Sequence, residues 1–263
     1  MNGALEVRLR ERRDAGAKLL VPYLTGGLDG SWIDALGAVA DAGADAVEVG
    51  IPFSDPVMDG PVIQQASQQA LRHGATPHSV ISEASKFDGD VPLAVMTYVN
   101  LVGHTGYRRF AAALADAGIA GAIVPDLPLD ELGPWADAAD AHGVETVLLA
   151  APTTPDDRLA AICARSRGFV YAVSLLGVTG ERDTLATRAA DVARRCRAVT
   201  DVPVLLGVGI SNAEVAIAAC EHADGVVVGS AIVRRLLDGG GPEAAGELVA
   251  GLRAALDDRW PPG

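Results

Sequence analysis

The sequence predicts an α/β protein built as a closed (β/α)8 barrel, a TIM barrel, and three observations predict this class. Eight short runs rich in Val, Ile and Leu recur along the chain, each nearly continuous in apolar character, as strands buried on both faces are. Amphipathic, alanine-rich segments lie between them. Most repeats have the length of one strand and one helix, roughly 30 residues. No linker or low-complexity stretch interrupts the order, so residues 1–263 are expected to form a single domain.

The boundaries of each element follow from the same patterns. The predicted strands are Leu19–Leu24, Ala46–Ile51, Leu93–Tyr98, Gly121–Asp126, Thr146–Ala151, Phe169–Ser174, Val202–Val208 and Gly225–Gly229. Apolar residues at three- and four-residue spacing predict helices at Trp32–Ala42, Val62–His73, Pro77–Lys86, Tyr107–Ala117, Glu131–His142, Asp157–Arg165, Thr187–Val199 and Asn212–Cys220. Glycines expected at helix C-caps are Gly43, Gly118, Gly143 and Gly168. The second and third strands are separated by a loop and two helical segments. A doubly wound open sheet is the alternative, but no G-x-G-x-x-G follows the first strand.

Composition and charge argue against several classes of function. The chain has 21 Lys and Arg against 34 Asp and Glu, and its net charge of −13 argues against nucleic acid and anionic membranes as partners. No apolar run approaches the ~18 residues of a membrane span. The charged segment Met1–Arg13 lacks the apolar core of a signal peptide, so we expect a cytoplasmic protein. Cys163, Cys196 and Cys220 follow no disulfide or metal spacing and are expected to be buried thiols.

A barrel directs the search for an active site to the carboxyl ends of its strands. Glu48 lies inside the second strand, where a carboxylate is costly unless it is paired or used. Burial there would raise its pKa toward that of an acid usable at neutral pH. Either Glu48 is functional or it forms a structural ion pair with an Arg of a neighbouring strand.

The loop after this strand carries a second carboxylate, Asp59, directly before Gly60 and Pro61. The prolines and glycine of the loop make it stiff, so Asp59 is expected to face Glu48. The alternative is that Asp59 caps the next helix, with Pro61 as its first residue.

Glycines follow the last two strands, in Gly207-Val208-Gly209-Ile210-Ser211 and in Gly229-Ser230. Barrels often bind phosphate between these two loops, where backbone N–H groups and a helix N-terminus meet the anion. Their combination predicts a phosphate site.

The aromatic residues are few, but four of them lie at or just past strand ends: Tyr23, Phe53, Tyr98 and Tyr171. They predict a flat apolar pocket beside the phosphate site, unless they only plug the barrel top. The glycine-hinged segment 176–184 after the sixth strand is expected to be a lid, or else an ordinary loop.

Residue types missing from the strand ends narrow the chemistry further. The only lysines, Lys18 and Lys86, are predicted to lie away from the barrel mouth, which argues against a Schiff-base aldolase. The five histidines lie in helices or connections, not where a catalytic zinc needs ligands. Carboxylate acid–base work on a phosphorylated, aromatic substrate remains, and no metal or cofactor is expected in this chain.

A series of motifs from the second strand to the eighth resembles the tryptophan synthase alpha chain family. It begins with Val47-Glu48-Val49-Gly50-Ile51-Pro52-Phe53-Ser54-Asp55-Pro56 and Asp59-Gly60-Pro61. It continues with Met96-Thr97-Tyr98-Val99-Asn100, Val124-Pro125-Asp126-Leu127-Pro128, Gly177-Val178-Thr179-Gly180, Gly207-Val208-Gly209-Ile210-Ser211 and Val228-Gly229-Ser230-Ala231. The resemblance covers nearly the whole chain, which makes it far more specific than any one motif.

The resemblance implies a lyase that splits indole-3-glycerol phosphate into indole and glyceraldehyde 3-phosphate. It implies that Glu48 is the acid at indole C3 and that Asp59 accepts from the indole N–H. Substrate-binding positions matching the family are Tyr23, Met96, Tyr98, Pro125, Tyr171, Thr179, Gly180, Gly209, Gly229 and Ser230, with Thr179 linking lid closure to Asp59. A pyridoxal-phosphate beta chain is the implied partner in an α2β2 complex, and Asp55, Pro56 and Asn100–Gly106 match interface regions.

Two other functions remain open at this stage. One is a free-standing indole-3-glycerol-phosphate lyase that has no beta partner. The other is a regulatory subunit with weak activity of its own, against which the intact Glu48, Asp59 and Thr179 argue. The isomerase and the indole-forming synthase of the same pathway would need a differently placed acid–base set.

Overall fold

The structure is a computed structural model that describes residues 3–173, 182–207 and 209–263; of residues 182–187 only the backbone is described. Its eight strands are all parallel and form a closed barrel in sequence order, with β1 pairing to both β2 and β8. They are β1 Leu19–Thr25, β2 Val47–Gly50, β3 Leu93–Met96, β4 Gly121–Ile123, β5 Glu145–Ala150, β6 Val170–Val173, β7 Val204–Gly207 and β8 Gly225–Val228. The predicted barrel is confirmed, and every observed strand overlaps its predicted run.

Helices surround the barrel. They are α1 Ala4–Asp14, α2 Trp32–Asp41, α3 Pro61–Arg72, α4 Pro77–Ala84, α5 Val99–Thr105, α6 Tyr107–Asp116, α7 Gly133–His142, α8 Asp156–Arg165, α9 Arg182–Arg197, α10 Ala213–Cys220, α11 Ser230–Leu237 and α12 Gly241–Arg259. A 3-10 turn, Leu129–Glu131, precedes α7, so α7 begins later than predicted, at Gly133 followed by a proline, which suits a first helical turn. The four glycines predicted at helix ends all have positive φ, but the prediction for Gly168 is wrong, because α8 ends at Arg165 with Ser166 as its C-cap.

Two separate apolar clusters account for the burial of the strands. The larger one lies between the strands and the surrounding helices. The smaller one fills the barrel with side chains from alternate strand positions, including Val21, Ile123, Phe169 and Leu205. Strands covered on both faces explain why their sequences are continuously apolar. The three cysteines are buried, as predicted.

Helix α1 closes the amino-terminal end of the barrel. Its Leu5 and Leu9 belong to the cluster inside the barrel and are fully buried. Glu145, the first residue of β5, accepts the backbone N–H groups of Leu5 at 2.8 Å and Glu6 at 3.0 Å. A carboxylate thus satisfies donors that a helix N-terminus leaves free, which fixes α1 across this end. The opposite, carboxyl end of the strands carries the candidate site.

Among the described helices, none combines the length and the hydrophobicity that crossing a bilayer requires.

Candidate active site

Glu48 is buried in the middle of β2, between Tyr23 of β1 and Ala94 of β3 in the strand register. Its exposed fraction is 1%, and its Oε2 atom makes no hydrogen bond within the described part of the chain. Burial raises the pKa of Glu48 to about 8, and the nearby Asp59 adds to the shift. No ion pair to Glu48 is found among the described residues, which contradicts the structural ion-pair alternative.

Asp59 lies near the end of the loop that joins β2 to α3. The residue at the N-cap of α3 is Gly60, none of the described side chains caps the helix, and Pro61 is its first residue. The prediction for Pro61 is confirmed, whereas the interpretation of Asp59 as a cap is wrong. Burial raises the pKa of Asp59 to about 6, against the opposing effect of a hydrogen bond with the Tyr98 side chain. Because Asp59 also shifts the pKa of Glu48, the two carboxyl groups lie within electrostatic range of each other.

Three tyrosines surround this pair of carboxyl groups. Tyr23, Tyr98 and Tyr171 are all buried, with exposed fractions of 7%, 3% and 9%. Burial raises the pKa of each hydroxyl, and the negative charge of Asp59 contributes in all three cases. The structure therefore brings together five of the predicted site residues, and each tyrosine hydroxyl stays protonated as a donor at neutral pH.

Two strand glycines make room for these aromatic rings. A Cβ atom at Gly50 would overlap the Tyr23 hydroxyl and ring, and one at Gly207 would overlap the Tyr171 ring. Each tyrosine thus lies across a strand residue that has no side chain. Sequence analysis placed Gly207 in a phosphate loop and gave no role to Gly50. A glycine inside an apolar strand signals such a close approach, and this was the available clue.

Met96 and Pro125 lie on the neighbouring strand ends. Met96 ends β3 and pairs with Gly50 of β2 and Ile123 of β4. Pro125 follows β4 and lines a cavity of about 200 Å³ with Leu127, Thr154 and Arg158, and the described lining of this cavity includes neither carboxyl group nor any of the three tyrosines. Both are partly buried. The structure thus places them at the predicted end of the barrel, beside the strands that carry the carboxyl groups and tyrosines.

The predicted phosphate residues are found at the ends of β7 and β8. Gly209 is exposed and has a φ of +52°, a conformation that favours glycine. Gly229 is the N-cap of α11 and Ser230 its first residue, and the Gly229 carbonyl accepts the N–H groups of Ile232 and Val233 at 3.0 Å each. The N–H groups of Ser230 and Ala231, at the start of the helix, have no acceptor among the described residues, and free N–H groups at a helix N-terminus are what an anion site requires. Thr179 and Gly180, with residues 176–181 of the predicted lid, lie outside the described residues.

The residues matched to an interface lie around the site, and most of them are at least partly exposed, although Val102 is buried. In the loop before α3, Val57 and Met58 follow the predicted Asp55 and Pro56 and are 80% and 45% exposed. Asn100–Gly106 covers most of helix α5, and an open groove of about 440 Å³ extends from Gly106 along α6 and α7. Large apolar side chains exposed beside an active site are typical of an interaction surface.

Lys18 lies at the opposite end of the barrel. Its ammonium group donates to the backbone carbonyl of Ala223 at 2.8 Å, next to the amino-terminal ends of β1 and β8. This confirms the prediction that Lys18 does not reach the mouth.

The closed barrel and the buried titratable groups at the carboxyl ends of its strands define the class of the chain: a (β/α)8-barrel enzyme. The family model described as "Tryptophan synthase alpha chain" matches residues 9–250. The chain therefore belongs to the tryptophan synthase alpha chain family, whose members are lyases.

Named relatives cover the chain almost end to end. A tryptophan synthase alpha chain of Streptomyces coelicolor is 47% identical over 253 residues, which make up 94% of this chain and 93% of the relative. The one of Streptomyces avermitilis is 49% identical over 252 residues, or 90% of each chain.

Solved structures agree with these relatives. The crystal structure of tryptophan synthase from M. tuberculosis in its aminoacrylate- and BRD0059-bound form has a TM-score of 0.89 at 35% identity, covering 97% of this chain and 99% of that one. Tryptophan synthase subunit alpha from Legionella pneumophila has a TM-score of 0.88 at 30% identity, covering 98% and 100%.

Proposed function

We propose that this chain cleaves indole-3-glycerol phosphate into indole and glyceraldehyde 3-phosphate by a retro-aldol reaction. The observation that carries the proposal is the state of Glu48: buried, without a partner for Oε2 among the described residues, and with a pKa raised to about 8. Such a carboxyl group keeps its proton at neutral pH and is available as a general acid.

Retro-aldol cleavage needs an acceptor for the electrons of the breaking bond. In the proposed mechanism Glu48 donates its proton to C3 of the indole, which turns the ring nitrogen and C2 into an iminium. The side-chain hydroxyl then loses its proton to the Glu48 carboxylate and becomes the aldehyde carbonyl. The bond between C3 and the side chain breaks, and its electrons return to the ring. The substrate thus supplies its own electron sink, and Glu48 ends protonated as it began.

Asp59 has the complementary role in this proposal. Its pKa of about 6 leaves it mostly ionised at neutral pH, so it can accept a hydrogen bond from the indole N–H. This contact strengthens as positive charge develops on the ring nitrogen, and an interaction that grows toward the transition state accelerates the reaction.

The remaining site residues would bind and orient the substrate. Tyr23, Met96, Tyr98, Pro125 and Tyr171 are proposed to line the pocket for the indole ring and the glycerol chain. The phosphate is proposed to bind Gly180, Gly209, Gly229 and Ser230, with support from the N-terminus of α11, which begins at Ser230. Thr179 is proposed to couple closure of the lid to Asp59.

We further propose that the chain works with a tryptophan synthase beta chain in an α2β2 complex and passes indole to it. Pyridoxal phosphate is expected only in that partner. Asp55, Pro56 and Asn100–Gly106 are the proposed contact regions, and the exposed Val57 and Met58 support the first of them.

An assay of indole formation from indole-3-glycerol phosphate, with and without a beta chain, tests this function. The proposal predicts cleavage that rises when the beta chain is added. High turnover by the chain alone, unchanged on addition, would favour the free-standing lyase. Absence of cleavage under both conditions would contradict the proposed reaction.

A further inference from the structure

Residues 52–60, the acid loop, carry Asp59 but have few anchors elsewhere in the molecule. The backbone hydrogen bonds inside the loop join near neighbours, such as Val57 N–H to the Asp55 carbonyl at 2.9 Å. Within the described residues, Tyr98 is the one side chain beyond the loop and helix α3 that hydrogen-bonds to it. The position of the Asp59 carboxylate therefore depends on the contacts that Tyr98 makes with the loop.

Tyr98 contacts the acid loop in three places. Its hydroxyl oxygen accepts the backbone N–H of Met58 at 3.1 Å, and its O–H lies close enough to the Asp59 carboxylate to lower the pKa of Asp59. Its ring stacks on Phe53 with centroids 5.0 Å apart and planes 30° from parallel. One side chain thus joins the beginning of the loop, its exposed tip and its acidic residue.

Tyr98 is itself held rigidly. It is 3% exposed and stands between the end of β3 and the start of α5, where its carbonyl accepts the N–H of Leu101 at 3.0 Å. The next residue, Val99, donates its N–H to the Asp126 carboxylate at 2.9 Å. A side chain fixed by a strand end and a helix start provides a stable reference point for a loop.

We propose that Tyr98 is a positioning residue that holds the acid loop, and with it the Asp59 carboxylate, in the geometry that cleavage requires. The kinetic part of this proposal rests on the proposed function. It adds a second role to the proposed place of Tyr98 in the substrate pocket, one that acts through Asp59 and the transition state rather than through the affinity for substrate.

The groups that face Asp59 determine what loss of the hydroxyl does. Glu48 of β2, Tyr23 of β1 and Tyr171 of β6 are near enough for Asp59 to shift their pKa values. Of the described side chains around Asp59, Tyr98 is the one whose hydrogen bond lowers the pKa of Asp59. Tyr98→Phe keeps the ring and its stacking but removes this bond, so the pKa of Asp59 is expected to rise above about 6.

The kinetic test compares Tyr98→Phe with the wild type over a range of pH. We expect kcat to fall roughly tenfold, the effect of one hydrogen bond to a charged group, with little change in KM. The acid limb of the kcat/KM profile should move to higher pH. Tyr107→Phe, which removes a hydroxyl from a ring packed on Trp135 of α7, is the matched control. It should change neither kcat nor the pH profile.

Two further measurements make the test more specific, and the second of them does not depend on the reaction. In an Asp59→Asn background, Tyr98→Phe should have almost no additional effect on kcat, because the group it positions is gone. Carbon-13 NMR titration of the Asp59 carboxyl group, without substrate, should show the higher pKa in Tyr98→Phe. Should that variant fail to fold, Phe53→Leu keeps the hydroxyl, loosens the ring and should lower kcat in the same direction.

The outcomes separate this proposal from the function on which it rests. A wild-type chain that releases no indole contradicts the reaction, but the NMR titration still decides the role of Tyr98. An unchanged pKa of Asp59 in Tyr98→Phe would overturn the positioning role. So would a rise in KM at constant kcat, which is what a residue that only binds substrate would show.

Discussion

Glu48 and Asp59 are the same kind of group in two different environments. Glu48 is 1% exposed and has no hydrogen-bond partner for one oxygen among the described residues, whereas Asp59 is partly exposed and hydrogen-bonds Tyr98. The pKa is therefore about 8 for Glu48 and about 6 for Asp59. Between these values one carboxyl group holds its proton and the other has released it, which is how enzymes assign an acid and a base to two similar side chains.

The first prediction concerns the pH dependence of cleavage. Below about pH 6 Asp59 becomes protonated and can no longer accept the indole N–H, and above about pH 8 Glu48 has lost the proton it must donate. A plot of kcat/KM against pH should be bell-shaped, with its maximum near the middle of this interval. Asp59→Asn is the control: its residual activity, expected to be at least ~10²-fold lower, should lack the acid limb. A flat profile across both pKa values would contradict this assignment.

The second prediction concerns the stability of the fold. The pKa of Glu48 rises from an ordinary value of 4.5 to about 8 on folding, so between these pH values the folded chain binds more protons than the unfolded one. The free energy of unfolding of the wild type should therefore fall as the pH rises through this interval. In Glu48→Gln the side chain cannot ionise, so the part of this pH dependence that comes from Glu48 should be absent. Urea denaturation of both proteins at several pH values measures the difference, and identical slopes would show that Glu48 is not desolvated.

At the scale of elements, β1 and β2 fit together because Gly50 of β2 has no side chain where the Tyr23 ring of β1 lies. Tyr23 pairs with Glu48 in the register, yet its ring extends over Gly50 at the carboxyl end of β2. Gly207 of β7 gives the same room to Tyr171 of β6. The aromatic rings thus stay inside the rim, close to the two carboxyl groups.

The third prediction tests this fit. Gly50→Ala would place a methyl group in the space of the Tyr23 ring and should destabilise the fold by about 1–3 kcal/mol. Gly37→Ala is the matched control, because Gly37 lies inside α2 and no other described residue beyond its own helix would come within 4 Å of the new Cβ. Its better helix propensity should add about 0.5–1 kcal/mol of stability. Thermal unfolding measures both, and a neutral Gly50→Ala would show that Tyr23 can be accommodated elsewhere.

Helices and strands differ in how well the sequence predicts them. All eight strands are predictable, because a strand covered on both faces must be apolar throughout. Helix α1 is not, since it buries only Leu5, Glu6 and Leu9, and most of its other residues are charged. Helix α5 begins directly after Tyr98, and its apolar residues continue the pattern of β3. Helices α11 and α12 are also absent from the elements that the sequence patterns predict.

The candidate site shows the same division. Glu48 stands out in the sequence because a charge inside an apolar strand needs an explanation. The contacts of Tyr98 with Phe53, Met58 and Asp59 cannot be predicted from the sequence, because they depend on the path of a loop that local sequence does not determine. The barrel rule predicts which residues meet at the rim, but not which of them touch.

At the scale of the whole molecule, a buried ionic group ties the amino-terminal end of the barrel together. Asp45, just before β2, is 1% exposed and pairs with Arg12 of α1 at 2.7 Å and with Arg253 of α12 at 3.3 Å. It also accepts the backbone N–H of Leu20 at 2.8 Å. The first and last helices are thereby joined to the sheet, on the face opposite the site. We propose that residues 1–263 behave as one domain for this reason.

The fourth prediction follows from this network. Asp45→Asn leaves Arg253 partly uncompensated in a buried position and should cost about 3 kcal/mol of unfolding free energy. Asp130→Asn breaks the exposed pair with Arg158 and should cost less than about 1 kcal/mol. Urea denaturation followed by both fluorescence and circular dichroism should give one transition in each protein. Two separated transitions would contradict the single domain, and equal losses would contradict the role of Asp45.

The most direct measurement of the central claim is the rate of indole release by Glu48→Gln. The substitution keeps the size of the side chain but removes the proton that must reach indole C3, and it lies away from the glycine loops proposed to bind phosphate. The account predicts that the variant releases no indole while it binds a phosphate-bearing substrate analogue about as well as the wild type. Cleavage at a rate close to that of the wild type would contradict the account.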